Sequence, residues 1–502
     1  PGYTLFAPLR STQTYLIDMR GHVVHEWKSG SPPGHAVYLL PDGSLLRCEQ
    51  ARKKHSFQGG GIGGSVVRLA PDSTVLWRFD YAGDEHCLHH DIEPLPNGNI
   101  LMIAWERRTR DEALAAGRDP DLQVADELWP DEIIEVEPTG SSGGRIVWRW
   151  RAWDHLVQEL DPDKPNYGVV AEHPELIDLN FRSRAPRQTP EQLERLRALG
   201  YIGGGEDESE PDDEPRDNRG RGPGGGADWL HINSVAYNAE LDQILLSVHN
   251  FSEIWIIDHS TTLEQASGHT GGRYGRGGDL LYRWGNPRAY GAGDAADQRL
   301  FAQHDARWIP AGSPGAGHIL AFNNGIGRRD GQYSSVDEIA PPVAADGSYT
   351  LRFGAAFEPR RAVWTYVAAD RGDFYSSHIS GAQRLPNGDT LICSGEQGRL
   401  FEVDAGGRIV WEYHNPFGGD ARPPHGPPPG AGPRPPFRGD RPPPPRGASR
   451  PPRRPPPGGV DGDRGPRPDE RTAVFRALRY GLGDEGIRAL LGETRANAGR
   501  GE

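Results

Sequence analysis

The sequence predicts an all-β chain: a six-bladed β-propeller that carries a helical and acidic insertion and a disordered Pro/Arg/Gly-rich segment. Two recurrent units carry this prediction. A hairpin opening on a histidine is written five times: His35-AVYLLPDGSLLRC, His90-DIEPLPNGNILMIA, His231-INSVAYNAELDQILLSV, His304-DARWIPAGSPGAGHILAF and His378-ISGAQRLPNGDTLICSG. A second pair of strands ends in an aromatic, with Trp27, Trp77, Trp148, Trp284, Trp364 and Trp411 at matching places. Each hairpin is followed by one such pair, so a repeat holds four strands with turn signals between them, the signature of a propeller.

The count sets the blade number. Six Trp-bearing pairs meet five histidine hairpins, and the unpaired half stands first in the chain. Its missing inner strand must come from the far end, where RTAVFRALRY (471–480) is the candidate; the same composition also suits a short helix. A C-terminal strand that closes the ring removes the open edges that a propeller must avoid. The propeller is therefore expected to span 1–415, with 471–480 closing it, inside a C-terminal segment 471–502 whose tail holds a short helix around 484–491.

Residues 151–228 interrupt the pattern. Thr189-Pro190-Glu191-Gln192 has the shape of a capping box with Pro at the first helical position and Gly200 as a stop, which predicts a helix over 190–199. The following GGGEDESEPDDEPRDNRGRGPGGGA holds nothing to bury and reads as an acidic loop. Residues 416–470 are dominated by Pro, Arg and Gly and read as a disordered or polyproline-like tether.

Composition narrows the function. The chain of 502 residues has a net charge of −14, which excludes non-specific nucleic-acid binding because that needs a basic face. No apolar run approaches the ~18 residues of a membrane span. The 67 glycines and 46 prolines fall heavily in the two segments just described. Three scattered cysteines make no disulfide framework. Cys48 and Cys393 sit in apolar strand runs and are expected to pack as small hydrophobes, as is Cys87 despite its place in CLHH. The chain starts at Pro1 rather than methionine, so a leader is not readable from it.

The histidines are the chemical signal. The first strand of each propeller blade lines the central channel, so a histidine at its start in five blades makes a ring near one mouth. His35, His90 and His304 each stand six residues ahead of the turn prolines Pro41, Pro96 and Pro310. His378 stands eight ahead of Pro386, an even offset that keeps it on the same strand face. One such histidine is most simply structural. Five at equivalent places beside an aqueous channel point to nucleophile, base or anion-donor chemistry.

HHDIEPLPNGN, DWLHINS, QHDARWIP with FNNG, and SGAQRLPNGDTLICSG together resemble the bacterial arylsulfotransferases that use no nucleotide sulfate donor. The resemblance runs from about Tyr3 to Pro416 and includes Phe475–Tyr480. It implies a six-bladed propeller located in the periplasm or outside the cell, and transfer of a sulfuryl group from a small aryl sulfate ester to a phenolic acceptor through a sulfohistidine. By its motifs His304 would attack the sulfur, His90 and His231 would be further catalytic histidines, and Asn233 would help to bind the substrate. No cofactor is implied, and a homodimer stays open. Where the family carries an arginine that grips sulfate, on the strand after HIN, this chain has His249. A histidine lacks the permanent charge and the bidentate fork of arginine, so a divergent anionic substrate is an alternative. His249 and His378 complete the expected substrate-binding set.

Two readings from other classes stand beside this one. His90, His231, His249, His304 and His378 offer enough imidazole to hold a transition metal. A non-catalytic propeller used for binding or assembly is the third reading, since the fold hosts many functions.

Overall fold

The computed structural model describes residues 2–51, 56–123, 125–182, 226–418 and 472–498, the last six of these by backbone alone. The expected helix over 190–199, the acidic loop after it and residues 419–471 of the proline-rich segment lie outside the described residues.

Six four-stranded antiparallel sheets form the body of the protein. From the channel outward, blade two runs Pro33–Leu39, Leu45–Gln50, Gly64–Leu69 and Val75–Asp80. Blade three runs His86–Pro94, Ile100–Glu106, Asp131–Pro138 and Gly144–Arg151. Blades four, five and six begin on Ile232–Asn238, His304–Trp308 and Gly381–Arg384. Turns such as Pro96-Asn97-Gly98, with Gly98 at φ 88°, set the registers.

Blade one joins the two ends of the chain. Its inner strand is Val474–Gly481, paired antiparallel with Gly2–Pro8 from Gly2 opposite Gly481 to Pro8 opposite Val474. Gln13–Ile17 and Val23–Lys28 complete it. RTAVFRALRY is thus a strand and not a helix from Val474 on, because pairing to an otherwise open edge outweighs its mild helix preference. The inner strands follow one another round the channel, and Val474–Gly481 sits between Pro33–Leu39 and Gly381–Arg384. A final helix, Glu485–Ala498, is longer than expected and is capped where the Ile487 amide donates to Asp484. Its Ile487 and Leu490 pack against Leu5, Val37 and Leu39.

The repeated tryptophans have a mechanical role. Each lies on the outermost strand of its blade, and several reach across to the next blade. Trp77 Nε1 donates to the Gly143 carbonyl, Trp148 Nε1 to Thr261 Oγ1, Trp284 Nε1 to the Pro359 carbonyl and Trp411 Nε1 to the Met19 carbonyl. These indoles bury a large apolar ring while satisfying the N–H, so they staple neighbouring blades. Among the described residues two short helices had no sequence expectation: Arg110–Ala115, between the second and third strands of blade three, with a Thr109/Glu112 capping box, and Leu263–Ala266 in blade four, with a Thr262/Gln265 capping box.

All three cysteines are free and buried. Cys87 packs with Phe57, Trp105, Trp129 and Ala227, and burial pushes its thiol up to about 12.

Candidate active site

The inner strands do not run straight into the channel mouth. Their pairing with the second strand slips between Pro33 and Val37, Leu88 and Ile92, Ile232 and Ser234, and His304 and Arg307. At these bulges the backbone turns left-handed at His35 (φ 99°), His90 (53°), His231 (56°) and Asp305 (52°), and in blade six at Ile379 and Ser380. Left-handed backbone at residues other than glycine costs on the order of 1–3 kcal/mol each, and bulges re-aim side chains. Here that cost is placed where histidines turn toward one another.

They meet as a chain of rings. Centroids lie 5.3 Å apart for His35 and His90, 4.5 Å for His90 and His231, 5.0 Å for His231 and His249, and 5.3 Å for His249 and His304. His378 completes the arc near His304, His249 and His35, whose protonation it opposes. All are buried except His249, which is partly exposed. All five histidines that open the hairpins, together with His249, are therefore brought to one place.

In five of the six histidines Nδ1 is tied back. His304 Nδ1 lies 2.8 Å from Asn324 Oδ1. The Asn324 amide nitrogen donates to the carbonyls of Ser376 and Ile379 at 2.8 and 3.0 Å. Two carbonyls on that end fix the amide orientation, so Oδ1 must accept and His304 Nδ1 must carry the proton. His304 Nε2, which has no hydrogen-bond partner among the described residues, is left with its lone pair. His231 Nδ1 is bound to Asp228 Oδ2, and Asp228 Oδ1 also accepts from Trp105 Nε1 at 3.1 Å. His249 Nδ1 faces Asn250 Oδ1 at 2.8 Å, and His378 Nδ1 faces Ser377 Oγ at 3.0 Å.

His90 is tied to a second histidine. Its Nδ1 is 2.8 Å from Nδ1 of His89, whose Nε2 lies 2.9 Å from Asp131 Oδ1 and whose ring stacks on Trp105 at 4.0 Å. Burial, then the Asp228 charge, pushes the Asp131 carboxyl well above the usual range. Gly61, at φ 81°, lies against the face of the His90 ring; a Cβ there would land inside the imidazole.

The ring is neutral for most of its length. Burial first, then repulsion by neighbouring imidazoles, holds His304 and His90 well below the ordinary histidine value and takes His35 and His249 down to about 3. His231 is backed by the buried Asp228 carboxylate.

One residue further along the inner strands the channel is crossed by charge. Arg476 of the closing strand reaches Asp91 Oδ1 and Oδ2 at 2.6 and 2.9 Å, Asp305 Oδ1 at 2.8 Å and the Tyr38 hydroxyl at 2.6 Å. Arg307 also binds Asp305, at 2.8 Å. Glu93 faces the same group, and burial raises it to about 8.

A family model described as Arylsulfotransferase (ASST) matches residues 10–414. The chain belongs to the arylsulfotransferase family. No curated protein matches the sequence. Among solved structures, a protein of unknown function from Bacteroides caccae is similar at 12% identity and TM-score 0.40, over 82% of this chain and 93% of that one. Virginiamycin B lyase from Staphylococcus aureus is similar at 9% identity and TM-score 0.34, over 83% and 85%. Kuenenia stuttgartiensis hydrazine synthase is similar at 14% identity and TM-score 0.31, over 64% of each chain. Overlaps this loose say nothing about chemistry.

For an arylsulfotransferase, the residues singled out from the sequence are close together. The Asn233 amide donates to the Gln303 carbonyl at 2.8 Å, directly ahead of His304. Asn324, Asp228, His89, Asp131 and Gly61 were missed. The signals for two of them were present, since FNNG and DWLHINS were already among the motifs, but a lone Asn or Asp in a motif does not say which ring it holds. The channel imidazoles do not converge on a point; among the described residues no three of their nitrogens are grouped within 4.8 Å.

Proposed function

We propose that this chain moves a sulfuryl group from an aryl sulfate ester to a phenol through a sulfohistidine on His304. The observation that supports this most is the His304–Asn324 pair, which leaves an unprotonated Nε2 among buried imidazoles. In the first half-reaction that lone pair attacks sulfur, the S–N bond forms, the aryl S–O bond breaks and the electron pair leaves with the phenolate. The Nδ1–H stays on Asn324, which steadies the positive charge on the sulfated ring.

Asp131, His89 and His90 supply the leaving group's proton. With Asp131 protonated, it donates to His89 Nε2, His89 Nδ1–H donates to His90 Nδ1, and His90 presents Nε2–H to the channel. That proton passes to the phenolate while each donor behind it shifts one step, leaving the charge on the Asp131 carboxylate. In the second half-reaction an acceptor phenol attacks sulfur and the S–N bond breaks. His231 takes the phenolic proton with Asp228 stabilising the imidazolium, as a carboxylate does in a hydrolase triad, and hands it to the neighbouring His90 Nε2, so that the relay runs back and Asp131 is protonated again. Once it holds that proton, the His231–Asp228 pair also offers a charged donor to the sulfuryl oxygens, beside a neutral His249. Export to the periplasm or beyond belongs to the same reading. Among the described residues no helix is long and apolar enough to cross a membrane.

The test is a chromogenic aryl sulfate with a phenol acceptor, followed by mass spectrometry of the quenched protein. Turnover with sulfate on the His304 peptide supports the reading. Absence of both turnover and a modified histidine across a range of pH defeats it.

A further inference from the structure

Away from the channel, between the outer edges of blades three and four, three donors meet. His155 follows the outer strand Gly144–Arg151, and Asp279 precedes the outer strand Tyr282–Trp284. His269 sits in the glycine-rich stretch 268–278 that leads to Asp279. His155 Nδ1 and His269 Nδ1 each lie 2.8 Å from the same oxygen, Asp279 Oδ1, with the rings nearly perpendicular at 5.8 Å. Among the described residues this is the group of histidine, cysteine and carboxylate side chains whose ligand atoms all fall within 4.8 Å of one another.

The protonation pattern is the informative part. His155 Nε2 is 2.9 Å from the Ala266 carbonyl, which can only accept, so Nε2 carries a hydrogen. In a neutral imidazole Nδ1 then holds the lone pair, yet it faces a carboxylate oxygen that also holds one. A metal ion between them resolves the conflict, as does a second proton on the imidazole, and the third donor and the open face of the group suit the metal. A histidine whose far nitrogen donates to a backbone carbonyl while the near one faces a carboxylate is the usual dress of a metal ligand.

The setting is rigid on one side and open on the other. The His155 side chain is fully buried and its ring is parallel to Trp150 at 5.7 Å, while Trp150 Nε1 is anchored on the Gly278 carbonyl at 2.7 Å. Gly278 must lack a side chain, because a Cβ would run into the Ala266 carbonyl and His155 Nε2. His269 is 59% exposed, which leaves one face of the group open to solvent.

We propose that His155, His269 and Asp279 form a binding site for a divalent transition metal, zinc by the chemistry of its donors. Two imidazoles and a carboxylate with an open fourth position suit tetrahedral Zn²⁺, whose bonds are about 2.0–2.2 Å to N and O. The donors must part by a few tenths of an ångström from their hydrogen-bonded spacing, and His269, on an exposed glycine-rich stretch, is the one free to give. The metal fastens that stretch of blade four to the start of the insertion after blade three. It takes no part in sulfuryl transfer.

The experiment uses the full chain, stripped with chelator and titrated with Zn²⁺ by calorimetry and with Co²⁺ by visible absorption. Because the channel also holds imidazoles, two variants are compared: His269→Ala, a change at an exposed position, and His249→Ala in the channel. One tight equivalent, a tetrahedral Co²⁺ spectrum and a raised Tm are expected in the native chain and in His249→Ala, and all three are lost in His269→Ala. The proposal is overturned if the equivalent persists in His269→Ala, if it vanishes in His249→Ala instead, or if the native chain binds no equivalent at micromolar metal.

Discussion

Asn324 holds His304 in one tautomer. Its Oδ1 accepts from His304 Nδ1 at 2.8 Å while its amide nitrogen is committed to two backbone carbonyls from the loop before blade six. The side chain cannot turn over without setting N–H against N–H and oxygen against oxygen. That arrangement decides which nitrogen of His304 keeps a lone pair, and it links blade five to blade six.

Removing that link should cost catalysis more than folding. Asn324→Ala frees His304 to adopt the other tautomer, and losing tautomer control costs on the order of 10²–10⁴ in kcat where a carboxylate does the same job. We expect kcat to fall at least about a hundredfold, with a KM within a few-fold of native. Steady-state kinetics on an aryl sulfate check this; an unchanged kcat would mean that Asn324 does not orient the nucleophile.

The histidine ring sets two pH responses. Because His304 is held well below the ordinary value, its Nε2 stays unprotonated under mild acid. The rate of His304 sulfation in a single turnover should therefore stay level from neutral pH down to about pH 5. A midpoint near 6.5 would show an ordinary, solvated histidine.

Stability should respond in the opposite sense. Unfolded imidazoles bind protons near pH 6.5, whereas folded His35 and His249 do so only at about 3. Between those values the unfolded chain holds more protons, so stability rises with pH and is lost on acidification, by up to about 1.4 kcal/mol per pH unit for each histidine. His259 works the other way: burial opposes its charge, but hydrogen bonds to Asp242 and Glu135 carry it up to about 9. Its contribution is complete below 6.5 and is lost as pH rises through 9. Urea midpoints measured from pH 4 to 10 should show a falling acid limb that shrinks in His35→Phe and an alkaline limb that disappears in His259→Phe.

Restoring charge to the ring should tighten sulfate binding. His249 is neutral at working pH, so a sulfate monoester meets no permanent cation at that position. His249→Arg adds a fixed fork of donors, and KM for an aryl sulfate should fall about tenfold, the effect of some 1.4 kcal/mol. A KM that rises or stays put would argue that the natural donor is not held there.

Arg476 is the stability counterpart of the site. Arg476→Ala strands Asp91 as a buried carboxylate while Asp305 keeps Arg307, and breaking a buried pair from one side costs about 3–5 kcal/mol. Chemical denaturation should show a loss of that size, larger than the loss for Arg408→Ala, whose partner Asp404 is on the surface.

The ring of histidines and the six-bladed plan were legible in the sequence because both are local and periodic. A histidine at a constant distance from a turn proline, and a tryptophan on each outer strand, repeat within one chain and are counted without knowing the fold. Even the closing strand could be placed, since an unpaired half-blade demands one. Asp228 and Asn324 stood in motifs already visible, but which ring each would hold could not be read, and other partners come from elsewhere in the chain. Arg476 reaches Asp91 across 385 residues, Asp131 meets His89 from a different strand of blade three, and Asp279 meets His155 across 124. Hydrogen-bond partners in a propeller are chosen by how neighbouring blades pack, and sequence spacing carries no record of that. The sequence by itself determined which histidines would line the channel; the tertiary structure alone decided, by packing Asn324 against two carbonyls, which nitrogen of His304 holds its proton.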